Sequence, residues 1–201
     1  NTFTYTLKDG TKAENYEITK TEGKLTVTAN ETEVVVTIKG HKDTQTYDGN
    51  SHAVTGYDVT IAPEKSAYKT DYITFNGTAK VEKTDAGNYP MGLKVSDFTN
   101  NNANFTNVTF VVEDGSLTIS KRNVTLTSAS DSKVYDGTEL KNSEVTASTG
   151  ENEGFVKDEG ATYNVTGSQT VVGSSENTFT YTLKDGTKAE NYEITKTEGK
   201  L

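Results

Sequence analysis

The sequence predicts an all-β protein built of tandem immunoglobulin-like antiparallel β-sandwich domains in an elongated array. Three observations carry that expectation. Apolar residues alternate with polar ones, chiefly Thr, over short segments. Asp, Asn and Gly punctuate those segments, and the whole pattern recurs along the chain. Alternation places one face of a strand on a core and leaves the other wet. Short strands separated by turn signals at intervals of roughly 8–12 residues favour a sandwich. A β-grasp-like module is the alternative that the same strands allow.

Taken in order, Thr2-Phe3-Thr4-Tyr5-Thr6-Leu7 alternates cleanly and predicts a strand. Lys8-Asp9-Gly10-Thr11 follows as a turn, because Asp-Gly accepts positive φ. Tyr57, Val59 and Ile61 alternate with Asp58 and Thr60. Val108, Phe110 and Val112 do the same further on, as do the shorter pairs Leu117/Ile119 and Val124/Leu126. Thr suits such segments because its β-branch favours a strand whose outer face is solvated. No segment shows a 3.6-residue period.

Repetition sets the boundaries. Residues 1–25, NTFTYTLKDGTKAENYEITKTEGKL, recur unchanged as residues 177–201. A diverged repeat of about half that spacing lies inside the long one. Thr46-Tyr47-Asp48-Gly49 matches Val134-Tyr135-Asp136-Gly137, and Gly23-Lys24-Leu25-Thr26-Val27-Thr28 matches Gly115-Ser116-Leu117-Thr118-Ile119-Ser120. These anchors divide the chain into the tail of a preceding repeat plus a connector (1–33), a first domain (34–121) and a second (122–201). The chain therefore reads as a fragment of a longer array. The joint, Lys121-Arg122, is too short for a flexible Gly/Ser linker and predicts domains lying end to end. Residues 178–183, a turn at 184–187, residues 192–195 and Lys200-Leu201 should close the second domain. The identical residues 1–25 have no such partners and form at best a marginal hairpin. Their exposed edges predict strand exchange with another chain through residues 1–25.

Composition narrows function. The chain carries 20 Lys+Arg against 29 Asp+Glu, a formal net charge of −9, which disfavours nucleic acid and anionic membranes as partners. Zero Cys excludes disulfides and thiolate chemistry. No run is apolar enough to cross a membrane and nothing reads as a signal peptide. The hydrophobic fraction of 31% borders on the disorder-prone range, yet the strand phasing argues for a folded chain.

The repeated Tyr47-Asp48-Gly49 and Tyr135-Asp136-Gly137 read as structural turns: Asp bonds nearby backbone, Gly adopts positive φ and Tyr packs inward. Calcium needs several converging oxygens, and no Asp-x-Asp-x-Asp spacing supplies them. His41 and His52 read as solvated loop residues, since the second domain has Ala129 where the first has His41. No nucleophile, zinc or phosphate-loop motif occurs. The expectation is therefore no enzyme, no metal and no cofactor.

Two resemblances sharpen this reading. Thr84-Asp85-Ala86-Gly87-Asn88-Tyr89 resembles the Asp-x-Gly-x-Tyr corner of immunoglobulin-like domains, which implies that the Tyr89 hydroxyl bonds backbone near Asp85 and Gly87. Tyr-Asp-Gly early in each unit, Asn-Tyr or Asn-Phe late (Asn15-Tyr16, Asn104-Phe105, Asn191-Tyr192) and a closing Gly-x-Leu-Thr-Val/Ile strand resemble the YDG/MBG-type repeats of bacterial cell-surface, adhesin-like proteins. That resemblance implies an extracellular location, on the bacterial surface or secreted. It also implies a structural stalk or spacer that projects a distal domain. The alternative is an adhesin module that binds host glycan or extracellular protein through domain-end loops.

Overall fold

A computed structural model describes residues 1–201. The protein is mostly β, and its helical content is limited to four three-residue 3₁₀ turns. Fifteen strands follow residue 33. In the first half they are β1 (Val34–Gly40), β2 (Lys42–Thr46), β3 (His52–Thr55), β4 (Tyr57–Ala62), β5 (Ile73–Phe75), β6 (Lys80–Lys83), β7 (Gly87–Pro90), β8 (Phe98–Asn100), β9 (Val108–Glu113) and β10 (Ser116–Ser120). The second half holds β11 (Arg122–Ser128), β12 (Val145–Ala147), β13 (Ala161–Val165), β14 (Phe179–Leu183) and β15 (Tyr192–Thr197).

These strands form small sheets: β4-β1-β9, β2-β10-β7, β12-β11-β15, and the pairs β13-β14, β3-β6 and β5-β8. The pairing is not uniformly antiparallel, contrary to the expectation from sequence. β1 runs parallel to β9, β2 parallel to β10, and β11 parallel to β15. Each half thus sets its first strands beside its last ones. The long excursion between them provides the crossover that parallel pairing requires.

Alternation places the core as the sequence suggests. Val34, Val36 and Ile38 of β1 are buried, as are Leu117 and Ile119 of β10 and Val124 and Leu126 of β11. An aromatic group, Tyr57, Phe75 and Phe98, packs edge-to-face and stacked beside them, with ring centroids 4.8–5.3 Å apart. The buried side chains of the two halves join into one cluster that continues through Tyr47 and Tyr192.

Both strands that switch sheet in the first half pass a point of close backbone approach. Gly40, the last residue of β1, lies directly against Gly115, between β9 and β10. A Cβ on Gly115 would sit 2.5 Å from the His41 carbonyl oxygen. In the second half Ser128 stands where Gly40 would be. Its hydroxyl donates to the Asn177 carbonyl (2.6 Å) and accepts the Gly199 N–H (3.0 Å), stitching the same crossing with side-chain bonds.

Residues 1–29 form no strand. Thr2–Leu7, expected as a strand, lacks a partner, and Phe3 is 49% exposed whereas its copy Phe179 in β14 is 2% exposed. Hydrogen bonds within the segment remain, including the Asn1 amino group to the Gly23 carbonyl (2.8 Å). The connector then anchors at Asn30, whose N–H donates to the Asn104 carbonyl (2.7 Å) at the leading end of the first half.

Candidate functional site at the interdomain joint

Only Lys121 separates β10 from β11. Around this single residue the first Tyr-Asp-Gly turn and the tyrosine corner meet the second half. Gly49 takes φ +82°, and the Asp48 carboxylate accepts the Asn50 N–H (2.8 Å), so the turn carries Tyr47 inward. Tyr47 stacks edge-on against Tyr192, with centroids 5.4 Å apart at 83°. Its hydroxyl donates to Glu159 Oε1 at 2.5 Å. Tyr192 in turn accepts the Val156 N–H (3.2 Å) and packs edge-on against Phe155. Burial, together with the adjacent Glu159 carboxylate, pushes Tyr47 up to about 12, and burial likewise raises Tyr192. At neutral pH both phenols stay protonated, which keeps the Tyr47 hydroxyl a donor to Glu159.

The corner supplies the second set of contacts. The Tyr89 hydroxyl donates to the Asp85 carbonyl at 3.0 Å and lies 3.3 Å from that of Ala86. Gly87 is required beneath the ring, since a Cβ there would lie 2.7 Å from the Tyr89 hydroxyl. Held this way, Asp85 faces the 3₁₀ turn Ala189–Asn191. Its carboxylate accepts Asn191 Nδ2 (2.9 Å) and Lys188 Nζ (2.6 Å), while the Ala86 N–H donates to Asn191 Oδ1 (2.7 Å). The Asn191 bond, followed by the Lys188 ammonium, holds the Asp85 carboxyl below its usual range.

The second Tyr-Asp-Gly turn has the same backbone and a different environment. Gly137 takes φ +79°, and Asp136 Oδ1 accepts the Thr138 N–H (2.9 Å) and Lys133 Nζ (2.9 Å). Tyr135, however, is 63% exposed, which corrects the expectation that both tyrosines pack inward. Tyr47 is covered by Tyr192 and Glu159 of the half that follows it. The exposed ring instead borders a groove of about 240 Å³ lined by Ser132, Lys133, Leu140, Val171, Val172 and Leu201.

His41 sits at the corner between β1 and β2, where Nδ1 donates to the Thr55 carbonyl (2.8 Å). His52 pairs with Asp48 (2.9 Å). Each serves its local turn. No group of three or more His, Asp or Glu converges as a metal site would require. Sequence reasoning missed Glu159 and Asn177, and marked Asn191 only as part of the recurring Asn-Tyr motif, without its role at the joint. Asn177 and Asn191 are fully buried, yet nothing in an isolated Asn separates a buried joint residue from a loop residue. Comparison with known protein families, characterised proteins and solved structures finds no match to this chain.

Proposed function

We propose that the chain is a structural stalk or spacer: tandem immunoglobulin-like sandwiches in an elongated array on, or secreted from, a bacterial surface, projecting a distal domain. The observation that supports this most is the joint. A one-residue connection, flanked by the Tyr47–Glu159 bond and the Asp85–Asn191–Lys188 set, fixes one half against the next as a spacer requires. The YDG/MBG-like residues, the acidic surface and the absence of Cys fit an extracellular spacer whose stability does not depend on redox state. Solution scattering tests the reading. A single compact body of this length has a radius of gyration of about 16–17 Å, whereas two halves in line should exceed about 20 Å. A value near the compact figure overturns it.

A second reading, an adhesin module for host glycan or extracellular protein, draws support from the groove beside Tyr135. Binding in a glycan-array screen that is lost in Tyr135→Ala would favour it over a pure spacer.

A further inference from the structure

The turn between β5 and β6 carries the only Asn-Gly dipeptide in the chain, Asn76-Gly77. Packing dictates its glycine. A Cβ at position 77 would lie 2.8 Å from the Phe75 ring and 3.1 Å from Asp97 Cγ, so a larger residue would disturb the stack of Phe75 on Phe98. Nothing dictates its asparagine. Asn76 is exposed, and its side-chain amide bonds no other group. The main chain is held on one side only: the Asn76 N–H donates to the Asp97 carbonyl (2.9 Å), whereas the Gly77 N–H has no acceptor. Gly77 is thus free to turn its nitrogen toward the Asn76 side chain, with no Cβ to shield it.

We propose that Asn76-Gly77 is a self-modification site, at which the folded chain converts asparagine into aspartate and isoaspartate with water as the only co-reactant. Hydroxide from the water removes the Gly77 N–H proton, and the nitrogen attacks Asn76 Cγ. The new N–Cγ bond closes a five-membered imide. The Cγ–Nδ2 bond breaks, and ammonia leaves with a proton from water, which restores the hydroxide. The two groups belong to adjacent residues, so they react without the entropic cost of meeting. Water then opens the imide. Cleavage of the new bond leaves aspartate on an unaltered main chain. Cleavage of the original peptide bond between Asn76 and Gly77 leaves isoaspartate, whose main chain runs through Cβ and Cγ. Either product adds one negative charge at the residue tied to Asp97. Isoaspartate also lengthens the chain between β5 and β6 by one methylene.

The structure singles out this position among the asparagines. Asn50 and Asn142 precede the small residue Ser, but Asn50 donates through Nδ2 to Asp48 (3.1 Å), and Asn142 Oδ1 accepts the Glu144 N–H (3.0 Å). Asn102 precedes Ala, and its Oδ1 accepts the Asn104 N–H (3.0 Å). Every remaining Asn precedes Thr, Val, Tyr, Phe, Glu or Asn, whose side chains crowd the attacking nitrogen. The five Asp-Gly dipeptides could close the same ring, but an ionised carboxylate is a poorer electrophile than a neutral amide. At Asp48, Asp114 and Asp136 the carboxylate is also engaged by backbone N–H groups at 2.8–3.0 Å. None of this depends on whether the chain serves as a spacer.

Peptide mapping by mass tests this on the full chain, incubated in mildly acidic and mildly alkaline buffer. Exchange of ammonia for water at residues 76–77 should accumulate with time, in proportion to hydroxide, and ahead of every other Asn. The modified peptide should separate into two isomers of equal mass, aspartate and isoaspartate. Each should carry one heavy oxygen when the water is so labelled. Asn76→Gln should lose the modification at this position with an unchanged melting temperature, because the Asn76 side chain holds nothing. In urea, Asn50 and Asn142 should gain on Asn76, since the bonds that restrain them in the folded chain are lost. An Asn76 that survives while another Asn converts overturns the proposal, as does a rate indifferent to pH or a product without isoaspartate. Proportions among Asn50, Asn76 and Asn142 that stay the same in urea overturn its structural basis.

Discussion

Tyr89 does two tasks with one hydroxyl: it closes its own corner and it aims Asp85 at the neighbouring half. Tyr89→Phe keeps the ring over Gly87 and removes only the bonds. It should lower the stability of the first half by about 1 kcal/mol, read as a reduced urea midpoint with an unchanged slope. Gly115→Ala probes a harder constraint. Its Cβ would meet the His41 carbonyl at 2.5 Å, a backbone atom that cannot rotate away. The expected cost is about 2–3 kcal/mol by the same measurement. The joint also has an acid limit. Because the folded state depresses the Asp85 carboxyl, its contribution is fully present above the unfolded value near pH 4 and is lost as pH falls through the folded value. Asp85→Asn should therefore remove part of the acid-induced loss of stability below about pH 4. A pH profile identical to that of the unmodified chain would show that Asp85 contributes nothing to the joint.

At the scale of elements, one 25-residue sequence occurs in two environments, and only one copy forms strands. The alternation in Thr2–Leu7 is as clear as that in Thr178–Leu183, since the residues are the same. What differs is β13 and β11, which receive the second copy. In dilute solution the amides of Thr4 and Thr6 should exchange with solvent far faster than those of Thr180 and Thr182, as resolved by NMR. Deleting residues 1–29 should move the melting temperature by less than about 2 °C, because none of their large apolar side chains is buried. These comparisons mark how far the sequence could be read. Period-two alternation located β4, β9, β10 and β11 because each strand has one face turned to the core and one wetter one. It could not reveal that β1 lies parallel to β9, since alternation records faces and not neighbours. The Tyr-Asp-Gly turns were legible as turns through Gly φ and Asp capping. The different fates of Tyr47 and Tyr135 were not, because burial of either ring depends on what lies beyond the turn. Glu159 and Asn177 gave no signal, and Asn191 stood out only through its recurring Asn-Tyr motif, since buried polar residues are chosen by partners that are remote in sequence.

For the whole molecule, the continuity of the apolar cluster through Tyr47 and Tyr192 predicts that the halves melt together. Tyr47→Ala removes both the ring contact and the bond to Glu159, and should split a single calorimetric transition into two. One transition in that variant would mean that the halves are coupled by the Asp85 contacts alone. The parallel pairing of first and last strands has a mechanical consequence. Tension applied at the two ends of the chain enters each half through adjacent strands that point the same way, and so pulls them along their length in opposite senses. Their ladder bonds are then loaded together, in shear, and must fail as a set. An antiparallel pair gripped at one end would instead peel open bond by bond. Each half should therefore yield abruptly, at a high force, when stretched between its termini in single-molecule pulling.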